Sequence, residues 1–295
     1  MKKLQQIQQS IITSKELLRT HFNVNKSFEV AQANIKKEVD NILEMQHKVI
    51  PVIPEIDYKS IIKNDVSFDE IVNIKRRGAL IIRNVFDDQQ ASEWNDEVGE
   101  YILSNDYFTK SVKREGMDQY FSQLKSGAPQ IFGLYWSRPQ MLARQSQSMA
   151  NTKRFLNSMW NVSSPHGDEF DPNNDFIYAD RIRRREPGDE TLGLSPHIDG
   201  GSFERWTDPA FQKVYGSVFN GDLKSYDPWN AAHRTHTKEY KSPAVCSMFR
   251  TFQGWTALTA QGPSDGTLSL IPIANSMSYL LLRALQDDIA PDSLC

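Results

Sequence analysis

The chain predicts an α+β protein: a double-stranded β-helix of the jelly-roll or cupin kind, with N-terminal helices packed around it. Three observations carry that expectation. Apolar residues recur at helical spacing through the first 48 positions, short β-branched runs bounded by turn residues dominate the second half, and a His-x-Asp triplet stands among those runs.

The helical part divides into residues 1–55 as an extension, leaving 56–295 as the β-helix domain. Ile7, Ile11 and Leu18, then Val30, Ile35, Val39 and Ile42, mark the inward faces of two helices broken near residues 23–25. Pro51 and Pro54 end the helical character, and the plainest role for the pair is a cap over the barrel. Residues 78–85 (Gly-Ala-Leu-Ile-Ile-Arg-Asn-Val) read as a buried strand, and Asp87 and Asp88 as the cap of a helix carrying Trp94, Val98 and Ile102 on one side. Residues 130–135 read as a strand. Residues 139–160 read as a helix whose Met and aromatic stripe is core.

Beyond residue 175 the pattern turns to strands, expected at 175–185, 245–252, 254–259 and 266–273, with turn chemistry at Glu186-Pro187-Gly188-Asp189. Residues 208–240, rich in polar and aromatic side chains and including Tyr226-Asp227-Pro228-Trp229, read as an insertion lying over one mouth of the β core.

Composition excludes several functions. Lys and Arg number 34 against 37 Asp and Glu, a net charge of -3, so no basic field draws in nucleic acid or anionic lipid. No apolar run is long enough for a membrane span, and no secretory h-region follows the start. Cys246 and Cys295 lie far apart without partner spacing, which fits a reducing, cytoplasmic setting. No phosphate-cradling Gly-rich loop and no Gly-x-Ser-x-Gly elbow occurs.

The chemistry concentrates at Ser195-Pro196-His197-Ile198-Asp199-Gly200-Gly201. A strand points residues i and i+2 to one face, so His197 and Asp199 can aim an imidazole and a carboxylate at one point. Two His and one carboxylate on one face of Fe(II) make a facial triad with three positions open, and this pair is two thirds of it. A surface histidine beside a Gly-Gly turn is the competing account.

Context adds a resemblance. Residues 178–189 (Tyr-Ala-Asp-Arg-Ile-Arg-Arg-Arg-Glu-Pro-Gly-Asp), the triplet, Gln253-Gly-Trp-Thr-Ala-Leu258 and Gly266-Thr-Leu-Ser-Leu-Ile-Pro272 resemble the phytanoyl-CoA dioxygenase superfamily. With Asp199-Gly-Gly-Ser-Phe-Glu-Arg-Trp206 and Val214-Tyr-Gly-Ser-Val-Phe-Asn-Gly-Asp222, the likeness narrows to its YbiU-like branch, over residues 78–272. The resemblance implies an Fe(II)- and 2-oxoglutarate-dependent dioxygenase that hydroxylates a small organic substrate, with His197 and Asp199 on the iron. It also implies that Trp255, with Arg181 and Arg183 on the Arg-rich strand, lines the cosubstrate cavity. The plainer alternatives are a core aromatic for Trp255 and a solvated strand face for the arginines.

The family pattern also calls for a later histidine and an arginine that pairs with the far carboxylate of 2-oxoglutarate. No histidine follows Pro272, where 23 residues remain, and His233 and His236 come too early. The expectation is therefore a C-terminally incomplete site and impaired activity, with open sheet edges that permit self-association. A non-catalytic β-helix remnant or binding module and a cupin-like metal isomerase are the competing functions.

Overall fold

The computed structural model describes residues 2–107, 109, 130–174, 177, 180–185, 198, 209–232, 250–262, 265 and 267–293.

Two long helices open the chain, α1 (Lys2–His21) and α2 (Val24–His47). The break between them is local chemistry: the Asn23 side chain accepts from the Lys26 N–H and starts a new helix. Their buried face is Leu18, Val24 and Ala31, and it packs against the far end of the sequence. There α10 (Ser276–Arg283) supplies Met277, Leu281 and Leu282, followed by Ala284 and Leu285. Tyr215, Val218 and Phe219, around the short helices α8 (Pro209–Val214) and α9 (Gly216–Phe219), close this first core.

Polar contacts tie the same ends together. The Arg19 guanidinium donates to the carbonyls of Leu285 at 2.8 Å and Gln286 at 3.0 Å, and Lys15 Nζ donates to that of Ala290 at 3.2 Å. These carbonyls lie in the turns that follow α10, so cations from α1 hold the segment beyond the helix against the N-terminal pair. The N-terminal helices, expected as a cap, are thus half of a helical core.

A second core surrounds a two-stranded parallel pair, β1 (Glu55–Asp57) and β2 (Ile81–Arg83), in the register Ile56 opposite Ile82. Between the strands run α3 (Tyr58–Lys63) and α4 (Phe68–Arg77). Helix α4 is written in local signals: Ser67 and Glu70 form a reciprocal capping box, and Gly78 ends the helix at φ +65°. A side chain at Gly78 would also stand 3.1 Å from the Ala274 Cα, because the Ala274 N–H reaches back to the Arg76 carbonyl at 3.1 Å. Ile56, Ile74, Met159 and Trp229 form the centre, with α7 (Gln147–Asn157) supplying Phe155 and Leu156.

The third core joins α5 (Asp88–Ser104) to an antiparallel pair, β3 (Ile131–Phe132) with β6 (Ile182–Arg183). Val98, Ile102, Tyr107, Phe132 and Ile182 meet there. Helix α6 (Arg138–Gln145) follows a second capping box, Ser137 with Gln140, and a small hairpin pairs β4 (Ser163–Ser164) with β5 (Gly167–Asp168).

Strands are short among the described residues, and a double-stranded β-helix is not evident among them. Residues 254–259 and 267–273, expected as strands, run without regular structure. Their β propensity is real, but a strand forms only where a partner backbone meets it. The stretch expected as a mouth-covering insertion differs too. In its described part, 209–232, Tyr226 joins the helical core, while Trp229 joins the second core and donates from Nε1 to the Lys75 carbonyl at 2.9 Å.

Candidate metal and cosubstrate site

His197 and Asp199, the expected iron ligands, lie outside the described residues. Ile198 between them is described: it is half-buried and packs against the helical core of Leu18, Phe219 and Leu281.

The Arg-rich strand is better defined. In β6 the pleat turns Ile182 inward, onto Val98 and Phe132, and therefore turns Arg181 and Arg183 out to solvent. Trp255 is 54% exposed, its Nε1 donating to Gln261 Oε1 at 3.0 Å. These three positions, expected on a cavity wall, lie at the surface. For the arginines the cause is strand alternation around Ile182; for Trp255 it is the absence of strand pairing along 254–259.

The polar network that does organise this region centres on Arg144, which sequence reasoning passed over. Its side chain is largely buried, with Nη1 3.0 Å from Asp180 Oδ1 and Nη2 donating to the Tyr135 carbonyl. The guanidinium lies 5.1 Å from the Trp136 ring centre. Gln140, placed by the capping box, donates through Nε2 to the carbonyls of Leu134 at 2.9 Å and Asp180 at 3.1 Å. Burial holds the Asp180 carboxyl above the usual range, although Arg144 and Gln140 pull it down. The legible signal was Ser137-x-x-Gln140, which fixes where α6 begins and hence where Arg144 stands.

A cleft of about 340 Å³ opens between α2, α4, the Tyr226-Asp227-Pro228-Trp229 turn and the approach to α10. Arg76 reaches Glu38 across it at 2.9 Å, and Lys75 Nζ stands 5.9 Å from the Trp229 ring centre. Beneath, Arg77 is buried. Its Nη2 donates to Asn41 Oδ1 at 2.6 Å, Nη1 stands 3.6 Å from Glu38 Oε2, and Nε has no acceptor. Desolvation lowers its proton affinity, Arg76 adds to that, and Glu38 opposes it. On its walls Arg76 is thus paired with Glu38, while Lys75 lies over the Trp229 ring. A larger groove of about 550 Å³ runs beside Phe86, Trp94, Leu142 and Ser146.

No group of three His, Cys, Asp or Glu side chains among the described residues could hold a metal ion. The described residues therefore do not by themselves fit an iron centre. No helix among them is long and apolar enough to cross a membrane.

Comparison with known proteins places the chain. The family model described as Gig2-like matches residues 3–295. The YbiU protein of Escherichia coli (strain K12) is 42% identical over 275 residues, 92% of this chain and 65% of its own length. The chain thus spans about two thirds of that relative. A crystal structure of the "Putative Oxidoreductase" from Salmonella typhimurium LT2 superposes with a TM-score of 0.88 at 40% identity, covering 98% of this chain and 70% of that one. The GlcNAc Inducible Gene 2 protein of Candida albicans, GIG2 (DUF1479), superposes at 0.66 with 28% identity over 95% of this chain and 56% of that one.

One expectation is corrected. The Gig2-like match overturns the assignment to the phytanoyl-CoA dioxygenase superfamily. That match runs past Pro272 to residue 295. From residue 3 to residue 295, this chain belongs to the Gig2-like family.

Proposed function

We propose that the protein is an oxidoreductase of the non-haem Fe(II)- and 2-oxoglutarate-dependent kind, acting on a small organic molecule in a reducing, cytoplasmic setting. The observation that carries the reading is the His197-Ile198-Asp199 triplet together with the seating of Ile198 on the helical core. If that segment is extended, a core-facing Ile198 sends both flanking side chains to the opposite face, where they can share one cation. The name of the Salmonella relative lends support at the level of reaction class alone. The same reading makes the β-rich part of the chain a double-stranded β-helix, with the pair on an inward face.

In such a site the metal and a 2-oxo acid would supply the oxidising chemistry, and this chain's residues would supply two protein ligands. Arg181 and Arg183 would serve as exposed cations able to attract a dicarboxylate. Their exposure, and that of Trp255, is the observation favouring a second reading, a binding module without catalysis. A cupin-like isomerase predicts metal binding without succinate.

Titration with Mn(II) or Fe(II), followed by thermal unfolding with and without 2-oxoglutarate, separates the three. The dioxygenase reading expects metal to raise the midpoint, 2-oxoglutarate to raise it further, and His197→Ala and Asp199→Ala each to abolish the effect. A metal response indifferent to both substitutions, or no response, overturns it.

A further inference from the structure

The cleft between α2, α4 and the approach to α10 holds more positive than negative charge. Lys75, Arg76 and, beneath the wall, Arg77 outnumber the two carboxylates, Glu38 and Asp227. Glu38 serves two of those cations at once: it accepts from Arg76 Nε at 2.9 and 3.0 Å and stands 3.6 Å from Arg77 Nη1. Lys75 makes no ion pair among the described residues and lies over the Trp229 ring. Arg77 is 1% exposed, and neither its Nε nor its Nη1 makes a hydrogen bond. A buried charged donor without an acceptor is costly, so movement of Glu38 towards Arg77 is favoured once Arg76 has another partner. The remaining walls are suited to an organic molecule. Tyr226, Trp229 and Ile273 contribute apolar surface, and Asn275 offers a carboxamide, since it begins α10 without a side-chain cap bond. At about 340 Å³ the cleft is at the small end of ligand-sized cavities.

We propose that this cleft binds a small organic monocarboxylate with an aromatic or aliphatic body, and that binding passes Glu38 from Arg76 to Arg77. The ligand carboxylate takes the Lys75 ammonium and the Arg76 guanidinium that Glu38 releases, and its body lies against Trp229 and Ile273. Glu38 then closes on Arg77 donors that have no acceptor in the empty cleft. Charge selects the ligand. One surplus cation sets one carboxylate, whereas a cationic ligand would add to the excess and find only Asp227, whose Oδ1 already accepts from the Trp229 N–H at 2.9 Å. The inference goes beyond the iron reading and is independent of it, since His197 and Asp199 stay intact and no metal is added.

The test is calorimetric titration of the intact chain with three probes: phenylacetate, acetate, which keeps the charge without the ring, and benzylamine, which keeps the ring and reverses the charge. Phenylacetate should saturate with a Kd below about 5 mM, and the other two should bind at least about tenfold more weakly. Lys75→Met should weaken phenylacetate at least about tenfold, and Lys75→Arg should stay within about threefold of the parent. Lys63→Met, an exposed change on α3, should have no effect. Glu38→Gln removes the competing carboxylate from Arg76 and should tighten phenylacetate; circular dichroism checks that each variant folds. If Glu38→Gln does not fold, the Lys75 variants and the probe series decide alone. The proposal is overturned if phenylacetate does not saturate below that Kd, if benzylamine or acetate binds as well, or if Lys75→Met binds like the parent. A folded Glu38→Gln that binds phenylacetate no more tightly than the parent overturns it as well.

Discussion

Helix α4 and the 267–271 stretch lie on either side of the Arg76–Ala274 hydrogen bond, yet they differ in almost every respect. The helix has a capping box at one end, a left-handed glycine at the other, acidic residues in its first turn and basic ones in its last. The stretch has apolar side chains of high β propensity and no strand pairing among the described residues. A helix completes its hydrogen bonds from its own residues, so sequence suffices to place it; a strand borrows half of its bonds from elsewhere. The contrast teaches which segments complete their bonding from their own residues and which need a backbone from elsewhere.

The largest expected effect belongs to the closed side. Leu281 is 1% exposed between α2 and α9, and Leu281→Ala should cost about 2–5 kcal/mol, measured by urea unfolding. A cost under about 1 kcal/mol would mean that the two ends of the chain are not one cooperative core.

Next comes the α4 cap. Ser67→Ala should lose about 1 kcal/mol, because the Glu70 N–H then loses its acceptor. A linked pH effect sharpens it. The hydrogen bonds from the Ser67 hydroxyl, and then from its backbone N–H, hold the Glu70 carboxyl below the usual range. A lowered folded value means the contribution is fully present above the ordinary glutamate value near 4.5 and fades as pH falls through the lowered one. Wild type should therefore lose more stability than Ser67→Ala between pH 5 and about pH 3. Parallel curves would remove Glu70 from the account.

The smallest effect is on the open side. Leu270→Ser should change unfolding free energy by less than about 0.5 kcal/mol, since that side chain contributes little burial. A large loss would show that the stretch is packed in solution, and the contrast with α4 would fail.

The same physics explains what could be read in advance. Apolar spacing and Asn23 located α1 and α2, and Asp87 located the start of α5, because caps and periodicity are local. Reading residues 139–160 as one helix missed the break at Ser146, which ends α6 and caps α7 in one residue. That the N-terminal pair would share a core with residues 277–285 left no trace in either segment, since long-range partners are not written in spacing. At the candidate site, the triplet is visible as a pattern, but the outward turn of Arg181 and Arg183 depended on which of three neighbours the strand buried. Ile182, the one apolar residue among them, was the available clue.

The bond from Arg19 to the Leu285 carbonyl joins residues 266 positions apart. A ribosome adding roughly 5–20 residues per second needs about 13–53 seconds to deliver the acceptor after the donor. Through that interval Leu18, Val24 and Ala31 have no permanent cover, so the nascent helical pair is a natural client for a holding chaperone. Closure of this core therefore waits on translation of α10 rather than on any step in forming α1.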